Sequence, residues 1–286
     1  MTVDADLMME LADCGSPEKL LSVIFAKRQE WRPPVPIEDF AASVGIEEIK
    51  ALETDGFEGA LLTDADKTRG VILFNGRSAR QRKRFTIGHE LGHFLIPTHR
   101  GNQQCTSKDM RESKRATERE RREAEANRFS AGLLMPRHWF VREMNRLGDA
   151  DVSHVRALAR LFDTSLEATA NRYAELTDNR CAIVFSKDGL VRYARPSKHF
   201  PKLVVRTGDA LPVGASKVSA GQAVAWTEVA GEVWLQGGLG RSGPPLLEQA
   251  VAQANGFQLT LLFLEPPEQD EDEEEQEPDW EPRFRR

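Results

Sequence analysis

The chain has 286 residues, of which 40% are apolar and 29% charged, and its formal net charge is −6. This composition excludes a fibre and wholesale disorder, and the length suits one large domain or two modules with a tail. The first residues do not have the pattern of a secretory signal, and no apolar stretch is long enough to cross a bilayer. Three cysteines far apart in sequence argue against a disulfide framework. We therefore expect a cytoplasmic protein that does not contact the membrane.

The first half of the chain alternates between helical and strand patterns. Residues 5–30 have helical periodicity, with Ser16 as an N-cap and Pro17 at the first helical position. A short second helix should end near Gly45. The run EGALLTDADKTRGVILFNG, residues 58–76, alternates around a polar centre and predicts two strands joined by a turn.

Two long helices follow, from Arg80 to Ile96 and over residues 114–134, because prolines end both patterns. Two or three shorter helices should then reach Leu176. Beyond Asp178 the pattern predicts strands at CAIVFS, LVRYAR, KLVVRT, AVAWTEV, EVWLQ and LTLLFLE. Residues 265–286 hold eleven acidic residues and three arginines, a composition that predicts a disordered acidic tail.

The stretch FTIGHELGHFLIPTHR, residues 85–100, indicates a metal site. His89 and His93 lie four residues apart, so a helix directs both imidazoles to one side, where they could hold a zinc ion. Glu90 lies about 100° further round the helix, within reach of a water on the metal. That is the position of a general base.

A catalytic zinc site needs a third protein ligand, and the residues leave several candidates. His99 has the spacing of the metzincin histidine, but Ile96 stands where that pattern requires glycine. On the next helix Glu123 shares a face with Asn127 and Ser130, which favours Glu123 as the ligand and Asn127 as the residue behind the site. Glu120 and Glu125 compete with Glu123; the alternative is that they pair with neighbouring arginines.

The combination of RFTIGHELGHFL with EAEANRFSAGLLMP about thirty residues later resembles the ImmA/IrrE family of zinc metallopeptidases. The resemblance covers residues from about 35 to 140. It implies that His89, His93 and Glu123 bind one Zn²⁺ ion and that Glu90 is catalytic. Members of this family are intracellular and typically cleave one helix-turn-helix repressor each.

The order of helical and strand patterns predicts an α+β fold with a helical metallopeptidase core and a small β-sheet. We expect a zinc metallopeptidase domain over residues 1–145, a helix-turn-helix-like segment over 146–178, a β-rich C-terminal domain of unknown role over 179–264 and the acidic tail over 265–286. By resemblance the chain is an intracellular zinc endopeptidase that cleaves a helix-turn-helix repressor encoded nearby and so derepresses a mobile-element, stress or toxin–antitoxin operon.

The sequence leaves other interpretations open. The main alternative is a metal-holding regulatory or antitoxin-type binding protein without useful proteolysis. We do not expect direct DNA binding, because Arg156, Arg160 and Arg172 are too few to indicate a phosphate-binding surface. The Cys105 thiolate could in principle block the open position of the metal. Tyr173, His138 or nearby arginines could stabilise the oxyanion, and the sequence does not choose among them.

Overall fold

The computed structural model describes residues 3–99, 103–105, 117–216, 218, 225–238 and 245–265, and for residues 103–105 it describes the backbone alone. Over these residues the fold is α+β, as predicted, with nine α-helices and two β-sheets. No helix in these ranges is both long enough and apolar enough to span a membrane. Beyond residue 265 the predicted acidic tail lies outside the described residues.

The N-terminal part consists of three short helices, α1 (Ala5–Ala12), α2 (Pro17–Lys27) and α3 (Ile37–Ser43). The helical pattern predicted over residues 5–30 is thus divided in two. The division falls where the sequence carries an N-cap, because Ser16 Oγ accepts a hydrogen bond of 3.3 Å from the Lys19 amide. The predicted helix start at Pro17 is confirmed.

The first sheet contains strands β1 (Ile46–Leu52), β2 (Gly59–Thr63), β3 (Gly70–Asn75) and β4 (Gln103–Cys105), in the order β1-β3-β2-β4. Strands β2 and β3 form the predicted antiparallel pair. Strand β1, which is parallel to β3, was not predicted, because Ile46 and Ile49 are spaced as on a helix. Gly45 turns the chain from α3 into β1 with a φ of 105°, where a Cβ atom would lie 2.6 Å from the Thr68 carbonyl oxygen.

Two long helices, α4 (Arg80–Leu95) and α5 (Glu118–Leu134), pack against each other and carry the predicted metal ligands. Helix α4 ends just before Pro97, as the sequence predicted. Helix α5 begins with a capping box, in which Thr117 Oγ1 accepts from the Glu120 amide and the Glu120 carboxylate accepts from the Thr117 amide. This cap fixes where α5 starts, and so where its later residues meet α4.

Three helices follow, as predicted: α6 (Arg137–Leu147), α7 (Val152–Phe162) and α8 (Leu166–Leu176). The second sheet is antiparallel throughout and has the order β6-β5-β9-β8-β7. Its strands are β5 (Cys181–Lys187), β6 (Leu190–Pro196), β7 (Thr227–Val229), β8 (Leu246–Ala252) and β9 (Phe257–Leu264). Both faces of β5 are buried, because Ile183 packs toward the helices and Val184 toward the opposite cluster.

Two of the predicted strands are wrong. KLVVRT and EVWLQ meet in a single bridge between Leu203 and Leu235, and most of EVWLQ belongs to the short helix α9 (Gly231–Trp234). Within this segment Trp234 turns inward and its indole donates to the Glu248 carboxylate at 2.7 Å. The strand β8 was missed, because a buried Glu248 and its polar neighbour Gln249 interrupt the apolar pattern on which the prediction relied.

Candidate metal centre

Helices α4 and α5 bring two imidazoles and one carboxylate together. His89 Nε2 lies 3.1 Å from His93 Nε2. Glu123 Oε2 lies 3.2 Å from His89 Nε2 and 3.6 Å from His93 Nε2. The two histidines are completely buried, and Glu123 is 3% exposed. Among the residues that the structure describes, these three form the group whose ligand atoms could hold a metal ion.

The spacing of these atoms fits a tetrahedral ion. Ligands that lie 2.0–2.1 Å from a tetrahedral zinc are about 3.3 Å from one another. The three separations, 3.1, 3.2 and 3.6 Å, bracket that value. Two imidazole nitrogens and one carboxylate oxygen are also a donor set of catalytic zinc sites, which leave a fourth position open. The residues therefore fit a zinc ion without rearrangement of the helices.

The site depends on an unusually close approach of α4 to α5. Gly88 and Gly92 lie one turn apart on α4, facing Ser130 and Ala126 of α5. A Cβ atom on Gly88 would lie 2.6 Å from Ser130 Oγ, and one on Gly92 would lie 3.1 Å from Ala126 Cα. Each glycine costs about 1 kcal/mol of helix stability relative to alanine. The close packing that the two glycines allow brings Glu123 within reach of both imidazoles.

Asn127 orients the first histidine. Its Oδ1 lies 2.9 Å from His89 Nδ1, and an amide oxygen can only accept, so the proton of this hydrogen bond belongs to His89 Nδ1. The lone pair of His89 is then on Nε2, which faces the carboxylate of Glu123. Ser130, on the same face of α5, donates instead to the Phe85 carbonyl at 2.8 Å and ties the two helices together.

The remaining acidic candidates lie outside the three-ligand cluster. Glu120 belongs to the capping box at the start of α5. Glu125 Oε2 lies 3.0 Å from His99 Nε2, while His99 Nδ1 lies 3.0 Å from His93 Nδ1. His99 therefore stands behind His93, on the side of the ring that faces away from Glu123, and it does not occupy the position of a third ligand.

The protonation of the site at neutral pH suits metal binding. Burial alone would raise the pKa of Glu123, but the interactions of its carboxylate with the two neighbouring imidazoles of His89 and His93 outweigh burial and hold that pKa well below its ordinary value. Burial lowers the pKa of His93 to about 4. The carboxylate is therefore ionised and His93 is neutral, which are the forms that bind metal.

Residues 47–173 match the peptidase M78 family model, described as the IrrE N-terminal-like domain. This match supports membership of the ImmA/IrrE family. The fold of the chain is similar to that of a Mycobacterium tuberculosis transcriptional regulator, with a TM-score of 0.53 and 14% identity over 92% of this chain and 89% of the other. No curated protein gave a significant match. The region that matches this peptidase family model includes the histidine and glutamate positions described above.

Glu90, the expected general base, follows His89 on α4 and is completely buried. Two of the residues considered for the oxyanion, Tyr173 and His138, have contacts that can be described. Tyr173 lies in the hydrophobic core, where burial and the neighbouring Cys181 raise its pKa to about 12. His138 is exposed and packs edge-on against Phe25. These contacts involve residues outside the three-ligand cluster. The side chain of Cys105 lies outside the described part of the chain.

The helix-turn-helix-like segment is anchored to the peptidase helices. Asp163, in the left-handed region at the turn between α7 and α8, accepts from Arg80 at 2.7 Å and from Gln81 at 3.1 Å. Arg172 donates to the Met135 carbonyl and pairs with Glu175, so its side chain is occupied within the fold. The turn between these helices therefore faces α4.

Two features of the site were missed by sequence reasoning. One is the pair Gly88 and Gly92, whose four-residue spacing inside a helix was a readable signal of close packing. The other is Lys67, whose ammonium donates to the carbonyl oxygens of His93, Ile96 and His99 at 2.7, 2.9 and 2.9 Å. No local pattern indicates Lys67, because it lies in the turn between β2 and β3, far along the chain from these acceptors.

Proposed function

We propose that the chain is a zinc endopeptidase in which His89, His93 and Glu123 hold one Zn²⁺ ion and Glu90 is the general base. The observation that carries this proposal is the buried group of two imidazole nitrogens and one carboxylate oxygen at tetrahedral spacing, beside a completely buried glutamate. A structural metal site would have no need of a base next to its ligands. Membership of the peptidase family supports the same assignment.

The chemistry follows from these positions. A zinc ion, when bound, acts as a Lewis acid toward water and the scissile carbonyl. Glu90 takes the proton of the attacking water and delivers it to the leaving amine. Asn127 keeps His89 in the tautomer that presents Nε2 to the metal. Burial of all three ligands excludes bulk water, which strengthens the electrostatic interactions within the site.

The proposed substrate is a helix-turn-helix repressor encoded near this gene, whose cleavage in the cytoplasm would derepress a mobile-element, stress or toxin–antitoxin operon. The family resemblance supports this substrate class. The helix-turn-helix-like segment is bound to α4 through Asp163, and we do not expect it to bind DNA directly. Asn127 and the three ligands would be needed for cleavage whichever repressor is the substrate.

The test uses Glu90→Gln, which keeps the size of the side chain and removes its basicity. Glu30→Gln is the matched control, because Glu30 is exposed. Purified proteins are incubated with the repressor encoded by the neighbouring gene and followed by intact-mass measurement, with zinc content measured in parallel. Wild type and Glu30→Gln should cleave, whereas Glu90→Gln should bind zinc and lose at least about 100-fold in rate. Equal cleavage by Glu90→Gln and wild type would refute the mechanism.

A second function, a metal-holding regulatory or antitoxin-type binding protein without useful proteolysis, is favoured by one observation. The structure similar to this chain over 92% of its length is titled a transcriptional regulator. The same experiment separates the two functions. Binding of the repressor with no change in its mass, by wild type and Glu90→Gln alike, would support regulation by binding alone.

A further inference from the structure

A buried chain of side chains leads away from the metal ligand His93. Its Nδ1 atom lies 3.0 Å from Nδ1 of His99, and Nε2 of His99 lies 3.0 Å from Oε2 of Glu125. Both imidazoles are completely buried, with ring centroids 5.0 Å apart. We propose that His99 and Glu125 are positioning residues that hold His93 in its metal-binding tautomer. The proposal rests on the metal site proposed above.

The hydrogen-bonding capacity of each atom gives one consistent set of proton positions. A hydrogen bond between two imidazole Nδ1 atoms requires a proton on one of them and a lone pair on the other. If His93 offers the lone pair of Nε2 to a metal, its proton is on Nδ1, and His99 Nδ1 must accept it. The single proton of neutral His99 is then on Nε2, where it is donated to the Glu125 carboxylate.

The opposite arrangement is incompatible with metal binding. If His99 carried its proton on Nδ1, His93 Nδ1 would accept, and the proton of a neutral His93 would be on Nε2, the atom that faces Glu123. Nε2 would then have no lone pair for the metal. In addition, the lone pair of His99 Nε2 would face the carboxylate oxygen of Glu125, which is repulsive. Glu125 thus selects the tautomer of His99, and His99 selects that of His93.

Lys67 fixes the segment that carries His99. Its three ammonium donors reach the carbonyl oxygens of His93, Ile96 and His99, at the C-terminus of α4 and in the turn that follows. A cation is favourable there, because the carbonyl end of a helix is the negative end of its dipole. The turn brings His99 back over His93, so Lys67 sets the distance between the two imidazoles.

The two metal-binding histidines are therefore supported differently. His89 donates to the neutral amide of Asn127, whereas His93 donates to an imidazole that itself donates to a carboxylate. A carboxylate behind an imidazole raises the basicity of the ligand, and loss of such support typically weakens metal affinity by about 10- to 100-fold. We expect His93 to lose affinity for the metal when the chain through His99 is broken.

The first experiment measures zinc affinity of the full chain by competition with a chromogenic chelator. His99→Leu removes both hydrogen bonds and should weaken zinc binding by about 10- to 100-fold. His99→Gln keeps an oxygen that can accept from His93 and should recover at least half of that loss on a logarithmic scale. Glu125→Gln should weaken binding by about tenfold. Glu118→Gln, which changes an exposed residue of α5, should bind zinc with the affinity of the wild type.

The second experiment observes the tautomers directly, and it does not depend on any variant folding. Long-range proton–nitrogen NMR of the zinc-loaded wild type should show the proton of His99 on Nε2 and that of His93 on Nδ1. A proton on His99 Nδ1 would overturn the proposal.

The outcomes also separate this inference from the proposed function. If the wild type does not bind zinc, both fail. If the wild type binds zinc and His99→Leu and Glu125→Gln bind it within twofold of that affinity, the positioning role is overturned while the metal site stands. Should His99→Leu not fold, Glu125→Gln and the tautomer measurement decide.

Discussion

Replacing Gly92 by alanine tests whether the contact between α4 and α5 sets the geometry of the metal site. The added Cβ would lie 3.1 Å from Ala126 Cα, where ordinary contacts begin at 3.4 Å. The neighbouring atoms are the Ala126 carbonyl oxygen and Phe129 Cβ, both at 3.3 Å, so no flexible side-chain end can move aside. The helices must therefore separate by about 0.3 Å or more, which exceeds the roughly 0.2 Å tolerance of zinc–ligand distances.

The substitution makes two contributions to the free energy of unfolding, and these have opposite signs. Overpacking of this kind costs about 1–3 kcal/mol, and alanine returns about 1 kcal/mol of helix propensity. We therefore expect the zinc-free Gly92→Ala protein to lose about 0–2 kcal/mol of unfolding free energy. Zinc binding requires the original spacing of α4 and α5, so the protein must meet the free-energy cost of overpacking when it binds the ion. A cost of 1–3 kcal/mol corresponds to a zinc affinity about 5- to 150-fold weaker than that of the wild type.

The assays are chelator competition for zinc affinity and urea denaturation of the zinc-free protein. Gly15→Ala is the matched control, because a Cβ on Gly15 meets nothing within 4 Å. Zinc affinity of Gly92→Ala within twofold of Gly15→Ala would refute the reasoning, since it would mean that Glu123 reaches the imidazoles without the close approach of the helices.

Two further predictions concern the C-terminal half. Burial would raise the pKa of Asp151, but hydrogen bonds from Ser153, Gln249 and Trp226 outweigh it and lower that pKa. The unfolded chain then binds the proton more readily, so unfolding free energy falls as the pH drops through about 4, and Asp151→Asn should flatten this dependence in urea titrations between about pH 5 and 2.5. Burial raises the pKa of Cys181 to about 12, so iodoacetamide at pH 8 should leave it unmodified in the folded protein, as peptide mass spectrometry can show.

Each of these predictions has a clear contrary result. An Asp151→Asn protein with the same loss of stability at low pH as the wild type would mean that the hydrogen bonds at the start of α7 do not lower the pKa. Alkylation of Cys181 in the folded protein at the rate seen in urea would mean that β5 is not buried on both faces.

Much of the local structure could be predicted because it depends on residues close together in the sequence. The Ser16 cap and the β2–β3 pair were read from a few neighbouring residues. The same holds for the paired histidines, since a four-residue spacing has the same meaning on any helix. Strands β1 and β8 were not predicted. Strand β1 pairs with a strand distant in sequence, and β8 buries Glu248 against Trp234, a partner that the periodicity of the sequence does not indicate.

The helix face that Glu123 shares with Asn127 and the family resemblance both favoured Glu123 as the third candidate ligand, and the tertiary structure shows what separates it from its two competitors. Glu120, Glu123 and Glu125 are all carboxylates on one helix, and residue type alone does not rank them. Tertiary packing separates them: Glu120 caps the helix, Glu123 meets the two imidazoles, and Glu125 meets His99. The orientation of α5 about its own axis, relative to α4, determines the direction in which each of these carboxylates points.

By itself the sequence determined that a helix would carry His89 and His93 on one side with Glu90 beside them, because helical geometry is a property of the local chain. The tertiary structure alone decided how near Glu123 would come and what would stand behind His93. Those distances depend on Gly92 packing against α5 and on Lys67 holding the turn after α4. Such contacts join segments far apart in sequence, and their strength depends on a few tenths of an ångström that no residue pattern encodes.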